Sequence, residues 1–239
     1  MSGKFNNQVA VVTGASTGIG FAIAQALVAE GAKRVYITGR SSATLEAAAA
    51  RLGDKAVAVV SDVATQSDLD ALKALVEQQD GQLDAVFANA GICEKNPVGE
   101  TTEAAYYRMF DINVKGVFFT VQTLLPLMKD GASIVLTASI CSSNGMEGLS
   151  LYNASKAAVR SFARTWANEL KGRKIRANVL SPGFTRTPLM DNGLKMDASQ
   201  IDALRSHVEQ IVPLGYMAEP EEIAACALFL ASADARYVN

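Results

Sequence analysis

Short β-rich segments alternate with longer, alanine-rich segments along most of this chain. The predicted strands are QVAVVTG, RVYITGR, AVAVVSDV, LDAVFANAG, ASIVLTAS and IRANVLSPG. Their cores are nearly continuous apolar runs, which is typical of parallel strands buried on both faces. The intervening segments GFAIAQALVAEG, SSATLEAAAARLG, SDLDALKALVEQQDG, 101–129 and YNASKAAVRSFARTWANELKG are predicted to be helical. This order predicts an α/β fold, a Rossmann-like doubly wound parallel β-sheet with helices on both faces, in three α/β/α layers.

The whole chain, 1–239, is predicted to form a single domain. Its length suits one α/β unit, and it contains no internal repeat, low-complexity tract or linker. The segment 184–217 departs from the alternation of strands and helices. It follows a strand but carries two prolines, an Asn-Gly pair and several large apolar residues. A long connection in a compact domain is usually functional or mobile. We expect a lid over the carboxyl end of the sheet, with a surface helix pair as the alternative.

Composition and charge exclude several classes of function. A net charge of −2 offers no basic field for nucleic acid. No apolar run reaches the roughly 18 residues that would span a membrane. The first residues, MSGKFNNQVAVVTG, lack the apolar stretch of a signal peptide, so a cytoplasmic protein is expected.

Metal sites and disulfides are not predicted. The three cysteines, Cys93, Cys141 and Cys226, are widely spaced, form no CxxC pair and are expected to be free, mostly buried thiols. The only histidine is His207, which excludes a histidine cluster as a metal site.

A glycine-rich turn follows the first predicted strand. In TGASTGIG, Gly14, Gly18 and Gly20 lie between a strand and a helix. Glycines there let the backbone approach a pyrophosphate, which binds at the helix N-terminus. The same residues also match GxSxG, the nucleophile elbow of α/β-hydrolases, with Ser16 as a candidate nucleophile. That alternative needs a histidine, and His207 lies in the 184–217 segment rather than on a loop beyond the last strand.

The end of the second strand indicates which dinucleotide binds. Sites for NAD usually carry an acidic residue there, which binds the ribose hydroxyls. Here YITGRSS has Gly39 at that position, followed by Arg40 and Ser41. A guanidinium matches a phosphate in geometry and charge, so NADP(H) is favoured over NAD(H). The alternative is an arginine that is simply solvated at the strand end.

Tyr152 and Lys156 lie four residues apart in a predicted helix and therefore on one face. A lysine cation beside a tyrosine favours the phenolate and should lower the phenol pKa, making a general acid near neutral pH. The alternative is an amphipathic helix with a half-buried tyrosine and a solvated lysine.

Taken together, the motifs resemble the short-chain dehydrogenase/reductase family, in its compact single-domain branch. The matching residues are TGASTGIG at 13–20, DV at 62–63, NAG at 89–91, Asn113, Ser139, YNASK at 152–156 and SPGFTRT at 181–187. The resemblance implies an NADP-dependent ketone reductase or alcohol dehydrogenase whose substrate is a small-molecule ketone or alcohol. A non-catalytic dinucleotide-binding protein is a further alternative, against which the complete tetrad argues.

By resemblance, four residues form the catalytic tetrad. Tyr152 is the general acid/base, and Lys156 lowers its pKa and binds the nicotinamide ribose. Ser139 holds the substrate oxygen, and Asn113 positions a water that links Lys156 to solvent. Each has a structural alternative: Ser139 could cap a turn, and Asn113 could bond backbone within a helix.

The resemblance also implies which residues bind the dinucleotide. They are Gly14, Ser16, Thr17, Gly18, Ile19, Gly20, Arg40, Ser41, Asp62, Val63, Asn89, Ala90, Gly91, Tyr152, Lys156, Pro182, Gly183, Phe184, Thr185 and Thr187. Asp62 could instead be a turn residue, and Asn89 could serve as the left-handed residue of its turn.

An apolar substrate pocket and an oligomer are the remaining expectations. Phe184, Leu189 and Met190 should face Met146 and Leu149 across an apolar pocket, which would favour bulky or aromatic ketones and secondary alcohols over sugars. The alternative is that these residues only pack the lid. Family members usually continue beyond LFLASADARYVN into a last strand that this sequence lacks. The resemblance implies a homo-oligomer, a tetramer or dimer, in which that strand builds one interface.

Overall fold

The computed structural model describes residues 3–239, which form a six-stranded parallel sheet in the order β3-β2-β1-β4-β5-β6. The strands are β1 (Val9–Val12), β2 (Arg34–Gly39), β3 (Ala56–Val60), β4 (Leu83–Ala88), β5 (Met128–Thr137) and β6 (Arg176–Leu180). All six predicted strands are confirmed. The strand order reverses between β1 and β4, and ligands of such sheets bind in the crevice at that reversal.

Nine α-helices connect and follow the strands within residues 3–239. They are α1 (Gly18–Ala29), α2 (Ser42–Leu52), α3 (Gln66–Gln79), α4 (Glu103–Phe110), α5 (Gly116–Leu124), α6 (Ser150–Glu169), α7 (Pro188–Asn192), α8 (Ala198–Ile211) and α9 (Pro220–Ala231). Short 3-10 turns occupy 125–127, 140–142, 171–173 and 233–235. None of the helices in this part of the chain is both long enough and apolar enough to cross a bilayer.

The apolar core has two parts, one on each face of the sheet. One part packs α3, α5 and α6 against the strands through residues such as Leu72, Val121 and Trp166. The other packs α1, α2 and α9 through residues such as Leu27, Leu45 and Leu228. Because both faces are covered, the central parts of most strands are nearly continuous apolar runs. The predicted α/β fold with three layers is therefore confirmed.

The predicted helical region 101–129 is confirmed over 103–127, in four helical pieces, and its last two residues belong to β5 instead. A π-helical turn at Asp111–Lys115 separates α4 from α5, and Pro126 lies in the 3-10 turn that follows α5. Proline cannot donate the backbone hydrogen bond that would continue the helix. β5 then begins at Met128, four residues before the predicted strand.

The 184–217 segment contains α7 and α8 and their connecting loops. Its buried residues Met190, Val208 and Met217 form a small apolar cluster separate from the main core, packed with Phe184 and Leu204. α8 begins with a capping box. The Gln200 backbone N–H donates to Asp197 Oδ1, and the Asp197 backbone N–H donates to Gln200 Oε1. The segment therefore has a defined local structure, and its function as a lid stays a prediction.

Candidate active site

A cleft of about 670 Å³ lies at the carboxyl ends of the strands, with β1 and β4 at its centre. Most of the predicted site residues line it: Gly14, Ser16, Thr17, Gly18, Ile19, Arg40, Asp62, Val63, Asn89, Ala90, Gly91, Ser139, Tyr152, Lys156, Pro182, Gly183, Phe184, Thr185 and Thr187. Three predicted site residues, Gly20, Ser41 and Asn113, do not line the cleft. The sheet thus brings together residues that are far apart in sequence.

The glycine-rich turn joins β1 to α1 along one side of the cleft. Gly14 and Gly18 have φ values of 65° and 58°, a region that residues other than glycine rarely adopt. Gly20 has a different role. A Cβ at Gly20 would lie 2.3 Å from the Gly14 carbonyl oxygen and 2.6 Å from Asn89 Nδ2. Gly20 therefore lets α1 pack closely behind the turn rather than lining the cleft.

The Asn89 side chain forms hydrogen bonds that connect the ends of β1, β4 and β5. Its Nδ2 donates to the carbonyl oxygens of Thr13 (3.1 Å) and Gly14 (3.3 Å), and its Oδ1 accepts from Thr137 Oγ1 (3.2 Å). Asn89 has no positive φ, so its interpretation as the left-handed residue of a turn is wrong. Its side chain instead holds the turn after β1 against β4 and β5.

Arg40, Ser41 and Asp62 follow β2 and β3. Arg40 is exposed at the cleft, directly after Gly39 ends β2. Ser41 begins α2, and its Oγ accepts from Thr44 N (3.4 Å), as expected of a capping serine. Asp62 Oδ1 accepts from Ala64 N (3.0 Å), so the turn function considered for Asp62 is present at a residue that also lines the cleft.

Tyr152 and Lys156 meet Ser139 on the opposite side of the cleft. Lys156 is 3% exposed, its Nζ donates to the Thr137 carbonyl oxygen (2.9 Å), and it lies 5.7 Å from the centre of the Tyr152 ring. Ser139 follows β5, and its Oγ accepts from Cys141 N (3.2 Å), so it also caps the next turn. A phenol, a hydroxyl and an amine therefore converge at one point.

Burial is the largest influence on the pKa values of Lys156 and Tyr152. It lowers the pKa of Lys156 from 10.5 to about 8, because a buried ammonium loses its hydration. Burial also raises the pKa of Tyr152, with a smaller opposing effect from its hydrogen bond to Ser139. The predicted lowering of the Tyr152 pKa by Lys156 is wrong for this structure. The Lys156 ammonium is held by the Thr137 carbonyl, and desolvation of the phenol is the largest effect.

Asn113 lies fully buried in the π-helical turn, behind the cleft. Its Oδ1 accepts from Ile92 N (2.8 Å), and its Nδ2 donates to Ile92 O (2.9 Å) and to Ser155 Oγ (3.1 Å). A Cβ placed on Gly91 would lie 3.2 Å from both Asn113 Oδ1 and Lys156 Nζ. Asn113 thus bonds backbone, but to the loop after β4 rather than within its own helix, and it lies close to Lys156.

Sulfur-containing and apolar residues line the part of the cleft beyond Ser139 and Tyr152. The predicted pocket residues Met146, Leu149, Phe184, Leu189 and Met190 all line it. Several lining residues were not predicted, namely Ile92, Cys93, Glu94, Ile112, Cys141, Asn192, Gly193, Leu194, Met196 and Leu204. Proximity in sequence could have identified some of them, since Cys93 and Glu94 follow the NAG motif.

Two hydroxyl residues at the cleft were also missed. Thr38 and Ser61 line it at the ends of β2 and β3, and neither hydroxyl has a hydrogen-bond partner within residues 3–239. With the glycine turn, they line a groove with polar groups that could bond to a dinucleotide. Ser61 precedes the DV motif directly, which is the only sequence signal for it.

The α/β-hydrolase alternative finds no support in this geometry. His207 is exposed on α8 and does not line the cleft, whereas Ser16 does. The positive φ values of the turn fall on Gly14 and Gly18 rather than on Ser16, unlike the strained nucleophile of an elbow. No group of three or more His, Cys, Asp and Glu side chains within residues 3–239 is placed to hold a metal ion.

Comparison with known proteins identifies the family. A family model described as "Enoyl-(Acyl carrier protein) reductase" matches residues 14–239. Oxidoreductase asL5 of Sarocladium schorii is 42% identical over 243 residues, covering 99% of this chain and 93% of that protein. The NADP-dependent (R)-specific alcohol dehydrogenase of Lentilactobacillus kefiri is 35% identical, covering 100% and 95%.

A solved structure extends the similarity to the fold. The 3-ketoacyl-(acyl-carrier-protein) reductase of Brucella melitensis, complexed with NADH, superposes with a TM-score of 0.89. It is 30% identical, and the alignment covers 98% of this chain and 95% of that one. Fold, cleft and sequence similarity over nearly the whole chain agree: the chain belongs to the short-chain dehydrogenase/reductase family of oxidoreductases.

Proposed function

We propose that this protein is an NADP-dependent carbonyl reductase and alcohol dehydrogenase, interconverting a ketone and a secondary alcohol. The observation that carries the proposal is the convergence of Tyr152, Ser139 and Lys156 in the same cleft as the glycine turn. Those side chains can act on a carbonyl oxygen, and the turn can hold a pyrophosphate.

The chemistry follows from what these side chains donate. The bound nicotinamide dinucleotide supplies the hydride for the carbonyl carbon. As negative charge develops on the carbonyl oxygen, the Ser139 hydroxyl donates a hydrogen bond to it. Tyr152 Oη transfers its proton to the same oxygen, which completes the alcohol. In the reverse direction Tyr152 removes that proton.

Lys156 and Asn113 support this proton transfer. Because the pKa of Lys156 is lowered to about 8, its ammonium can give up and regain a proton near neutral pH. We propose that it returns the proton to Tyr152 through the polar pocket beside Gly91, where Asn113 Oδ1 also lies. Asn113 holds the backbone of Ile92 beside Gly91 with two hydrogen bonds.

The preference for NADP rests on Arg40. It is exposed at the cleft where β2 ends, and Gly39 leaves no acidic side chain to bind ribose hydroxyls. The Lentilactobacillus kefiri relative is NADP-dependent by name, which supports the same preference.

We expect Arg40→Asp to reverse the ratio of NADPH to NADH affinity, measured by titration. Arg164→Asp, an exposed change outside the cleft, is the control. An unchanged ratio in Arg40→Asp would remove Arg40 from the argument.

The proposed substrates are apolar and bulky. Phe184, Leu189, Met190, Met146 and Leu149 line the cleft near Tyr152 and offer few groups that would bind the hydroxyls of a sugar. Activity with a panel that pairs bulky aromatic ketones with sugar ketones tests this. Higher kcat/KM for the sugars would contradict the proposal.

The deciding experiment combines binding and turnover. Wild type should bind NADPH and reduce a ketone, and Tyr152→Phe should lose turnover about 10²–10⁴-fold while NADPH affinity stays within about twofold. Tyr106→Phe, an exposed position outside the cleft, should behave as wild type. Comparable turnover in Tyr152→Phe would refute the mechanism. Tight NADPH binding with no turnover on any ketone would favour the non-catalytic alternative.

A further inference from the structure

Glu94 brings a carboxylate to the substrate end of the cleft. Among the residues that the structure describes, the charged side chains that line the cleft are Arg40, Asp62, Glu94 and Lys156. Arg40 and Asp62 follow β2 and β3, whereas Glu94 comes after β4 on the other half of the sheet, as Ser139 does after β5. Glu94 is therefore the acidic side chain on the half of the cleft where the substrate carbonyl would react.

Both sides of the apolar pocket pack against the loop that carries Glu94. On one side, a Cβ placed on Gly193 would lie 2.5 Å from the Cys93 carbonyl oxygen, so the end of α7 closely approaches the residue before Glu94. On the other side, Asn96 N donates to the Gly148 carbonyl oxygen (2.7 Å) in the loop before α6. Glu94 thus lies between the two segments that supply the apolar residues of the pocket.

Arg108 holds this carboxylate from outside the cleft. Arg108 Nη2 donates to Glu94 Oε2 (2.5 Å), and the two side chains are 53% and 30% exposed. Arg108 lies on α4 and does not line the cleft. Its hydrogen bond uses Oε2, so Oε1 can accept a hydrogen bond from a ligand. A guanidinium on the solvent side thus fixes the carboxylate without bringing a positive charge into the pocket.

A carboxylate beside an apolar pocket selects ligands by charge. A substrate with an ammonium group can donate a charge-assisted hydrogen bond to Glu94, which is stronger than a bond between neutral groups. A substrate with a carboxylate brings a like charge to the same place, which is unfavourable. The alternative is that Glu94 only forms a partly exposed ion pair with Arg108, and such pairs contribute little.

We propose that Glu94 is a specificity-determining residue that favours ketones with an apolar body and a positively charged group over ketones that carry a carboxylate. This inference rests on the proposed function and narrows the substrate class of the same cleft. Glu94 binds the part of the substrate away from the carbonyl and takes no part in the transfer of hydride or proton. Arg108 is a positioning residue, because it acts through Glu94.

Three ketones of similar shape test this proposal: acetophenone, its para-aminomethyl derivative and its para-carboxylate. With saturating NADPH or NADH, kcat/KM of wild type should be about 10-fold higher for the aminomethyl ketone than for the carboxylate. In Glu94→Gln, which keeps the side-chain shape, this ratio should fall about 5-fold, because the charge is lost. The ratio cancels any general change in activity. The matched control is Glu100→Gln, an exposed position after the same loop and outside the cleft, which should keep the wild-type ratio.

Ionic strength gives a second measurement that needs no variant. Raising NaCl from about 0.05 M to about 0.5 M screens partly exposed charges, so the wild-type ratio should fall. A ratio that salt leaves unchanged would contradict recognition by the partly exposed Glu94 carboxylate.

The remaining outcomes separate the possible failures. A wild-type ratio near one, or the same ratio in wild type and Glu94→Gln, would refute this inference and leave the proposed function intact. Turnover of acetophenone with neither charged ketone reduced would refute it as well. If wild type reduced none of the three ketones, the proposed function itself would be refuted, and this inference with it.

Discussion

Replacing Lys156 by methionine should change how the stability of the protein depends on pH. The pKa of Lys156 is lowered from 10.5 to about 8 because the ammonium is buried at 3% exposure. Below pH 8 the folded protein keeps that charge out of water, whereas the unfolded chain hydrates it. The difference corresponds to about 3 kcal/mol of lost stability.

The sign of the effect follows from proton counts. Between pH 8 and 10.5 the unfolded chain binds more protons at this lysine than the folded protein does. The free energy of unfolding contributed by Lys156 therefore rises with pH in that window. Burial also raises the pKa of Cys93 from 9.0 to about 12, which lowers stability above pH 9. Desolvation, the largest cause of that shift, is present in both proteins and cancels in their difference, whereas the smaller lowering of the Cys93 pKa by Lys156 is lost in the variant.

Urea unfolding of wild type and Lys156→Met at pH 7, 8, 9 and 10 measures this difference. The free energy of unfolding of wild type minus that of the variant should rise by about 2–3 kcal/mol from pH 7 to pH 10. The midpoint of the rise should lie above pH 8. A difference that stays flat, or that falls with pH, would show that burial does not dominate the titration of Lys156.

Two further substitutions test the packing behind the cleft. Gly20→Ala should destabilise the protein by about 1–3 kcal/mol and weaken dinucleotide binding, because its Cβ would lie 2.3 Å from the Gly14 carbonyl oxygen. Gly172→Ala, with open space around its Cβ, should unfold as wild type does, and equal stability in the two variants would contradict this packing argument. Asn113→Ala should cost about 1–3 kcal/mol in urea unfolding, because the Ile92 N–H and carbonyl lose their partners. If Asn113→Ala lost turnover without any loss of stability, the hydrogen bonds from Asn113 to the Ile92 backbone would not stabilise the fold as argued.

Much of the candidate site could be predicted because it follows the ends of strands. In a parallel sheet all carboxyl ends meet at one edge. Ser16, Arg40, Asp62 and Ser139 lie at or just after the carboxyl ends of predicted strands, so they were expected to converge. Gly20 and Asn113 were predicted as site residues, yet one packs behind the turn and the other lies under the loop after β4. Their motif positions did not reveal which side of the backbone they face.

The apolar part of the cleft was harder to predict. Met196 and Leu204 belong to the 184–217 segment, whose helices pack on one another by contacts that no short pattern indicates. Thr38 looked like an ordinary strand residue, because a missing hydrogen-bond partner is a property of its surroundings.

The sequence by itself determined the succession of strands and helices along the chain, the position of the glycine turn and the residues available for chemistry. These depend on local periodicity and spacing. Tertiary structure decided which residues share the cleft and how they titrate. The pKa of Tyr152 illustrates the limit: the i, i+4 spacing to Lys156 predicted a lower value, whereas burial raises it. Desolvation depends on every atom packed around a group, and those atoms come from distant parts of the chain.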